Sequence, residues 1–226
     1  MEHLPFENRV EAGRLLADEL KRRKLDPSAV IFALTRGGVP VGFEVADRLR
    51  LPLDVIVARK IGVPWQPELA MGAIAGSVQV LDAQMIDQLG ILDDDVKSII
   101  AREKSEMKRR EQVFREGMPG ANPEGRTAVI VDDGLATGST MLAAVRYART
   151  LEPSKIIIAV PVGSRDGCAR LRGEVDELVC LSVPELFFAV GEWYRDFEQV
   201  TDDEVRHLLA ESRKQLASHM RTRTAA

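Results

Sequence analysis

The residues best equipped for chemistry lie at 127–140, reading T-A-V-I-V-D-D-G-L-A-T-G-S-T. A short apolar run, Ala128, Val129, Ile130 and Val131, ends in paired acids, Asp132 and Asp133. A turn of small residues follows, and then a helical pattern. The apolar run suits a parallel strand buried on both faces. Where such a strand hands over to a helix, backbone N–H groups can cradle a phosphate. Thr137, Ser139 and Thr140 add hydroxyl donors. The two acids cannot serve that phosphate, because like charges repel. They suit neighbouring hydroxyls or a divalent cation. A ligand with a phosphate at one end and a diol beside it is a sugar phosphate, and ribose 5-phosphate fits. A Ser/Thr helix cap would explain Ser139 or Thr140 but not two adjacent acids at a strand end.

Two further clusters could meet anions. Thr35-Arg36-Gly37-Gly38 follows an apolar run, and its paired glycines let the backbone approach a ligand closely. Arg36 offers a forked cation for phosphate, although a plain turn with a surface arginine has the same composition. Arg59 and Lys60 are expected to end a second strand, either as ligands or as a solvated strand end.

The elements that must position these residues follow from periodicity and turn signals. Helices are expected over residues 9–24, 39–49, 93–116, 166–172 and 202–217. Strands are expected over 29–34, 54–58, within 71–81, over 127–131, 155–160 and 175–181. Residues 64–67 read as loop. The first helix is expected to bury Val10, Leu15, Leu16 and Leu20. The long mid-chain helix carries Ile100, Met107 and Phe114 at seven-residue spacing, a narrow apolar seam that suits a dimer contact or a lid over a pocket. Alternating strands and helices imply an α/β fold, a mostly parallel twisted sheet flanked by helices. Ligands of such sheets bind beyond the carboxyl ends of the strands. The three clusters all fall at expected strand ends and could converge.

Bulk properties narrow the class. The chain has 226 residues, enough for one domain with a real core. Its net charge of −4 gives no general attraction to nucleic acid or anionic membrane. The basic cluster at 104–110 alternates with Glu103, Glu106 and Glu111, as a solvated helix face does. Cys168 and Cys180 form no metal or redox spacing, and Cys180 is expected in the core. Residues 1–6 show no secretion signal, and no run reaches transmembrane length, so a cytoplasmic protein is expected.

The 127–140 stretch resembles the phosphoribosyl diphosphate (PRPP) signature of the type I phosphoribosyltransferases. The resemblance implies one domain over 1–226, with a helical insertion at about 83–117 and an acceptor-side segment at about 183–219 forming a small hood. It implies that Asp132 and Asp133 hold the ribose 2′ and 3′ hydroxyls. Ala136, Thr137, Gly138, Ser139 and Thr140 would form the 5-phosphate loop. Arg36, Gly37 and Gly38 would form the diphosphate loop, where an unusual backbone conformation often presents N–H groups. Arg59 and Lys60 would stand at the base of a mobile loop over 61–68 that closes over the diphosphate. With the acidic pair they are the expected catalytic residues. Mg²⁺ is the implied cofactor, carried mainly by PRPP, with Asp132 and Asp133 as candidate ligands.

Residues 183–191, followed by Asp196 and Phe197, resemble the base-binding stretch of hypoxanthine-guanine phosphoribosyltransferases. Phe187 or Phe188 would stack on the base and Val190 would offer backbone polar groups. An aromatic core cluster is the competing reading. Two departures are visible: Ala136 stands where oxopurine enzymes carry an acid, and residues 161–165 lack their lysine, with Arg165 as the nearest substitute. The implied function is transfer of a phosphoribosyl group from PRPP to a purine-like base, as in purine salvage and nucleotide metabolism. The implied partners are PRPP and a nucleobase-like acceptor, with no nucleic acid or membrane and a homodimer left open. A PRPP-sensing regulator with weak catalysis is the alternative, and another sugar-phosphate enzyme, such as a ribonucleotide hydrolase, is a further one.

Overall fold

A computed structural model describes residues 5–224. The first four residues, most of the stretch read for a secretion signal, lie outside the described residues. The centre is a five-stranded parallel sheet in the order β2-β1-β6-β7-β8. Its strands are β1 (Val30–Leu34), β2 (Leu53–Ile56), β6 (Thr127–Val131), β7 (Lys155–Val162) and β8 (Glu177–Ser182). All five residues of β1 and of β6 are buried, as expected for central parallel strands covered on both faces.

One face carries α1 (Arg9–Arg22), α2 (Gly38–Leu49) and α7 (Asp202–Thr224); the other carries α5 (Ser139–Arg149). The short α6 (Arg165–Arg172) joins β7 to β8. The chain winds from β1 outward to β2, then crosses back to place β6 on the other side of β1. The loops after β1 and β6 therefore diverge above a crevice, the place where such sheets bind ligands.

A second sheet departs from expectation. β3 (Ala58–Val63), β4 (Gln66–Ala75) and β5 (Val78–Leu81) form an antiparallel meander. Arg59 and Lys60 thus sit inside β3 rather than ending β2, and the expected loop over 61–68 is a paired hairpin turning at Pro64 and Trp65. The expected strand within 71–81 is two strands. β4 changes from exposed at Gln66 to fully buried at Ala75, so no single period runs through it to mark two strands.

α3 (Ala83–Gln88) and α4 (Asp93–Arg115) follow. Asp93, Asp94 and Asp95 occupy the first turn of α4, where negative charge complements the helix dipole. The apolar face of α4 is broader than a seven-residue seam: Val96, Ile99, Met107 and Phe114 are buried, while Ile100 is only partly so. The helix packs on both β3 and α7, so one stripe would not suffice. Its C-terminal end is moored to the central sheet. Arg115 reaches both carboxylate oxygens of Asp54 on β2, at 3.1 and 3.2 Å, and the Val55 carbonyl at 3.0 Å. Ala121 N–H also donates to Asp54, at 2.7 Å.

The buried face of α1 is shifted from the expected one. Ala12, Leu16, Ala17 and Leu20 are buried, Leu15 is partly buried and Val10 is exposed. Cys168 is the buried cysteine; Cys180 is half-buried.

Candidate functional site

The acidic signature and the T-R-G-G loop meet at the crevice between β1 and β6. The Thr35–Arg36 peptide bond is cis. Gly37 and Gly38 then lie directly on the acidic pair. A Cβ at position 37 would collide with the Asp133 carboxylate, and one at 38 would lie 2.7 Å from the Val131 carbonyl oxygen and 3.0 Å from Asp132 Oδ1. Only glycine lets the two loops approach so closely.

Asp132 Oδ1 accepts the Asp133 backbone N–H at 2.9 Å, which fixes the turn. Burial pushes the Asp132 carboxyl well above the usual carboxylate range, and the neighbouring Asp133 charge adds to this. Burial also raises Asp133, but Arg9 pulls it back. Both Arg9 contacts fall on Asp133 Oδ2, from Nε at 2.9 Å and from a terminal nitrogen at 2.8 Å. The Tyr194 hydroxyl donates to the Asp133 carbonyl at 2.5 Å. Asp133 is thereby held from both its side chain and its backbone.

Beyond the acids the loop is tied to the end of β7. Leu135 N–H donates to the Val162 carbonyl at 2.9 Å, and Ser164 N–H donates to the Leu135 carbonyl at 2.7 Å. The Ser164 hydroxyl donates to the Ala136 carbonyl at 2.5 Å. Gly138 then adopts φ 76°, in the left-handed region that favours glycine, and α5 begins at Ser139 without a side-chain cap. Its first N–H groups therefore have no capping side chain and could meet an anion. Ala136 and Thr137 are exposed, and Ser139 and Thr140 are half-buried. Arg170 on α6 donates to Ser139 Oγ at 3.1 Å and to the Thr137 carbonyl at 3.3 Å, which brings a cation to the rim of this cradle. The arrangement suits a phosphate dianion at the helix end and hydroxyls at the acids.

The structure therefore brings Arg36, Gly37, Gly38, Asp132 and Asp133 to one cleft, with residues 136–140 continuing from it. This cleft has a volume of about 370 Å³ and includes Arg9, Arg36, Gly37, Asp133 and Phe197 in its lining. Val190, from the stretch after β8, reaches the same loop: a Cβ on Gly134 would collide with its side chain. Phe187 stacks on Trp193 at 6.3 Å between ring centroids, whereas Phe188 is 79% exposed.

Arg59 and Lys60 are not brought into this cleft. They line a separate one of about 560 Å³ between the β3–β4 hairpin and α4. There Arg59 pairs with Glu103 at 2.5 Å. Trp65, at the hairpin tip, is 62% exposed and does not pack on the sheet. The basic cluster on α4 is internally balanced: Arg109 and Arg110 both bind Glu106 and hold its carboxyl down at about 2.

Sequence reasoning did not single out Arg9, Arg170 or Tyr194. Arg9 is the first residue of a helix capped by Asn8, and nothing in its neighbours announces a partner 124 positions away.

A family model for the phosphoribosyl transferase domain matches residues 8–197. The chain belongs to the phosphoribosyl transferase family. Two Mycobacterium tuberculosis proteins, from strains H37Rv and CDC 1551, carry names that assign them provisionally to the phosphoribosyl transferases. Each is 45% identical to this phosphoribosyl transferase chain over 213 residues, covering 94% of it and 48% of the relative. The chain thus spans about half the length of the curated relatives it matches. Among solved structures it resembles TT1426 from Thermus thermophilus, with 40% identity, a TM-score of 0.77, and coverage of 92% of this chain and 99% of that one. No helix among the described residues is long and apolar enough to cross a membrane.

Proposed function

We propose that the protein transfers the 5-phosphoribosyl group of PRPP to a nitrogenous, purine-like base and releases diphosphate. The observation that carries this reading is the meeting of the two loops at the sheet's switch point. There the half-buried acidic pair lies against the glycines of one loop and beside the uncapped N-terminus of α5. Asp132 and Asp133 accept the ribose hydroxyls. Thr137, Gly138, Ser139 and Thr140 hold the 5-phosphate. Arg36, Gly37 and Gly38 face the diphosphate. Arg59 and Lys60 complete the clamp only if the hairpin moves toward the crevice.

In this reaction the C1–O bond to diphosphate breaks and a ring nitrogen bonds to C1 with inversion. Positive charge develops on the sugar, and nearby carboxylates stabilise it electrostatically. Positioning supplies much of the remainder. Among the described residues, no cluster of three or more His, Cys, Asp or Glu side chains could hold a metal. The acidic pair fits Mg²⁺ that arrives with PRPP; when bound, the ion neutralises diphosphate charge. Phe187 and Val190 lie on the acceptor side, where an aromatic face gives affinity for planar rings.

One observation favours a second reading, a PRPP sensor with weak catalysis: Arg59, on the β3–β4 hairpin outside the crevice, is held by Glu103 of α4. Diphosphate release from PRPP and Mg²⁺, measured against a panel of purines, pyrimidines and related heterocycles, decides between them. Release that requires one acceptor establishes the transferase. PRPP binding without release for any acceptor favours the sensor.

A further inference from the structure

Arg9 makes a set of contacts that the proposed chemistry has not used. Its guanidinium meets Asp133 Oδ2 through two nitrogens, donates to the Glu198 carbonyl at 2.8 Å, and lies 3.8 Å from the ring centroid of Phe197. It is 11% exposed. The segment it touches is itself locked to the N-terminal segment: Phe6 N–H donates to the Trp193 carbonyl, Arg195 N–H to the Phe6 carbonyl and Asp196 N–H to the Glu7 carbonyl, at 2.9, 2.8 and 2.9 Å. Tyr194, which holds the Asp133 backbone, belongs to this pairing and stacks on Phe197 at 5.1 Å.

We propose that Arg9 is a positioning residue for ribose recognition: it holds Asp133 by one carboxylate oxygen, leaves the other to a ligand hydroxyl, and ties that carboxylate to the acceptor-side segment through Phe197 and Glu198. The inference rests on the PRPP reading above. A guanidinium satisfies the requirement where an ammonium does so only in part, because its planar fork can bind the carboxylate, donate to a carbonyl and lie on a ring at once. Direct binding of the diphosphate by Arg9 is the rival role, since Arg36 lines the same cleft.

Calorimetric binding of PRPP and of inorganic pyrophosphate, both with Mg²⁺, separates the two roles, because pyrophosphate has no ribose. In Arg9→Met, PRPP affinity is expected to fall by about tenfold or more, as for a lost charged hydrogen bond, with pyrophosphate affinity unchanged. Arg9→Lys is expected to restore part of the PRPP affinity. Phe197→Leu, which keeps the cation and removes the ring, should show a smaller PRPP-selective loss. Equal loss of both ligands in Arg9→Met, or wild-type PRPP affinity in the folded variant, would overturn the inference while leaving the PRPP reading intact. A wild-type protein that binds no PRPP would instead remove that reading, and the inference with it. Thermal melts of each variant confirm that folded protein is being compared.

Discussion

The two clefts of this molecule are built on different principles. The crevice between β1 and β6 stands on two strands whose every residue is buried, and its two loops touch through glycines. The cleft between the β3–β4 hairpin and α4 has one wall that is exposed from Gln66 to Glu68, and its central contact is an ion pair, Arg59 with Glu103. Buried parallel strands fix where a side chain points. The hairpin is packed into the core through Ile61, Val63 and Met71, and only its tip at 64–69 is exposed, so that tip is the part with fewest buried contacts to lose. Under the proposed function, the first cleft is already in place before a ligand arrives. The second suits residues that arrive after the ligand does.

The largest effect is expected at the preorganised cleft. Replacing both Asp132 and Asp133 by Asn should sharply lower PRPP turnover. The expected loss is roughly 10²–10⁴-fold, the equivalent of two charge-assisted hydrogen bonds. The melting profile should stay cooperative. Wild-type diphosphate release from the folded double variant would remove the acids from the mechanism and the contrast between the clefts with them.

Next in size is the mooring of α4. Asp54 and Arg115 are 6% and 20% exposed, and Ala121 shares the carboxylate. Asp54→Ala leaves a largely buried guanidinium unpaired, which typically costs about 3–5 kcal/mol. Urea unfolding should show that loss. A change below about 1 kcal/mol, the scale of an exposed ion pair, would mean that α4 is held by its apolar face alone, and that the second cleft is looser than its contacts suggest.

Arg59 gives a smaller and sharper test. If the hairpin swings toward the crevice when PRPP binds, Arg59→Met should weaken PRPP binding about tenfold, one charged contact's worth. Calorimetry reads this directly. Unaltered affinity would leave Arg59 as a strut to Glu103 and would make the two clefts functionally independent.

The same contrast decides what could be read from sequence. β6 and its turn were legible because their residue types have no cheaper explanation: five buried positions, two acids, then hydroxyls and glycine. The parallel α/β fold followed from alternating strand and helix patterns, and the central strands matched to within a few residues. The antiparallel sheet did not, because β3 and β4 mix buried and exposed positions irregularly, with register shifts near Gly62. Their turn at Pro64 and Trp65 also lacks the Asn-Gly or Asp-Gly signal of tight hairpins. Arg9 was illegible for another reason: its role depends on a contact across 124 positions, which local periodicity cannot carry. Gly37, Gly38 and Asp133 were legible only as members of separate loops, and their contact is a product of the strand order.

The smallest predicted effect is one of stability, and it distinguishes the two acids within the preorganised cleft. Burial lifts the Asp132 carboxyl well above the ordinary 3.8. A raised folded-state value means that the native protein holds the proton more tightly than the unfolded chain. Stability therefore falls as pH rises from about 3.8 through that raised value, and the loss is fully present above it. Asp132→Asn removes the ionisation. Without ligand or Mg²⁺ it should melt above wild type at neutral pH, with the difference closing as pH falls toward 3.8. Asp133 is also raised by burial, but Arg9 opposes the shift, and Asp133→Asn strands that guanidinium. It should gain less than Asp132→Asn or lose stability outright. Equal gains in the two variants would mean that Arg9 does not select Asp133. Parallel melting curves for wild type and Asp132→Asn across pH would mean that the fold bears no cost for ionising Asp132, and that the crevice is wetter than its packing implies.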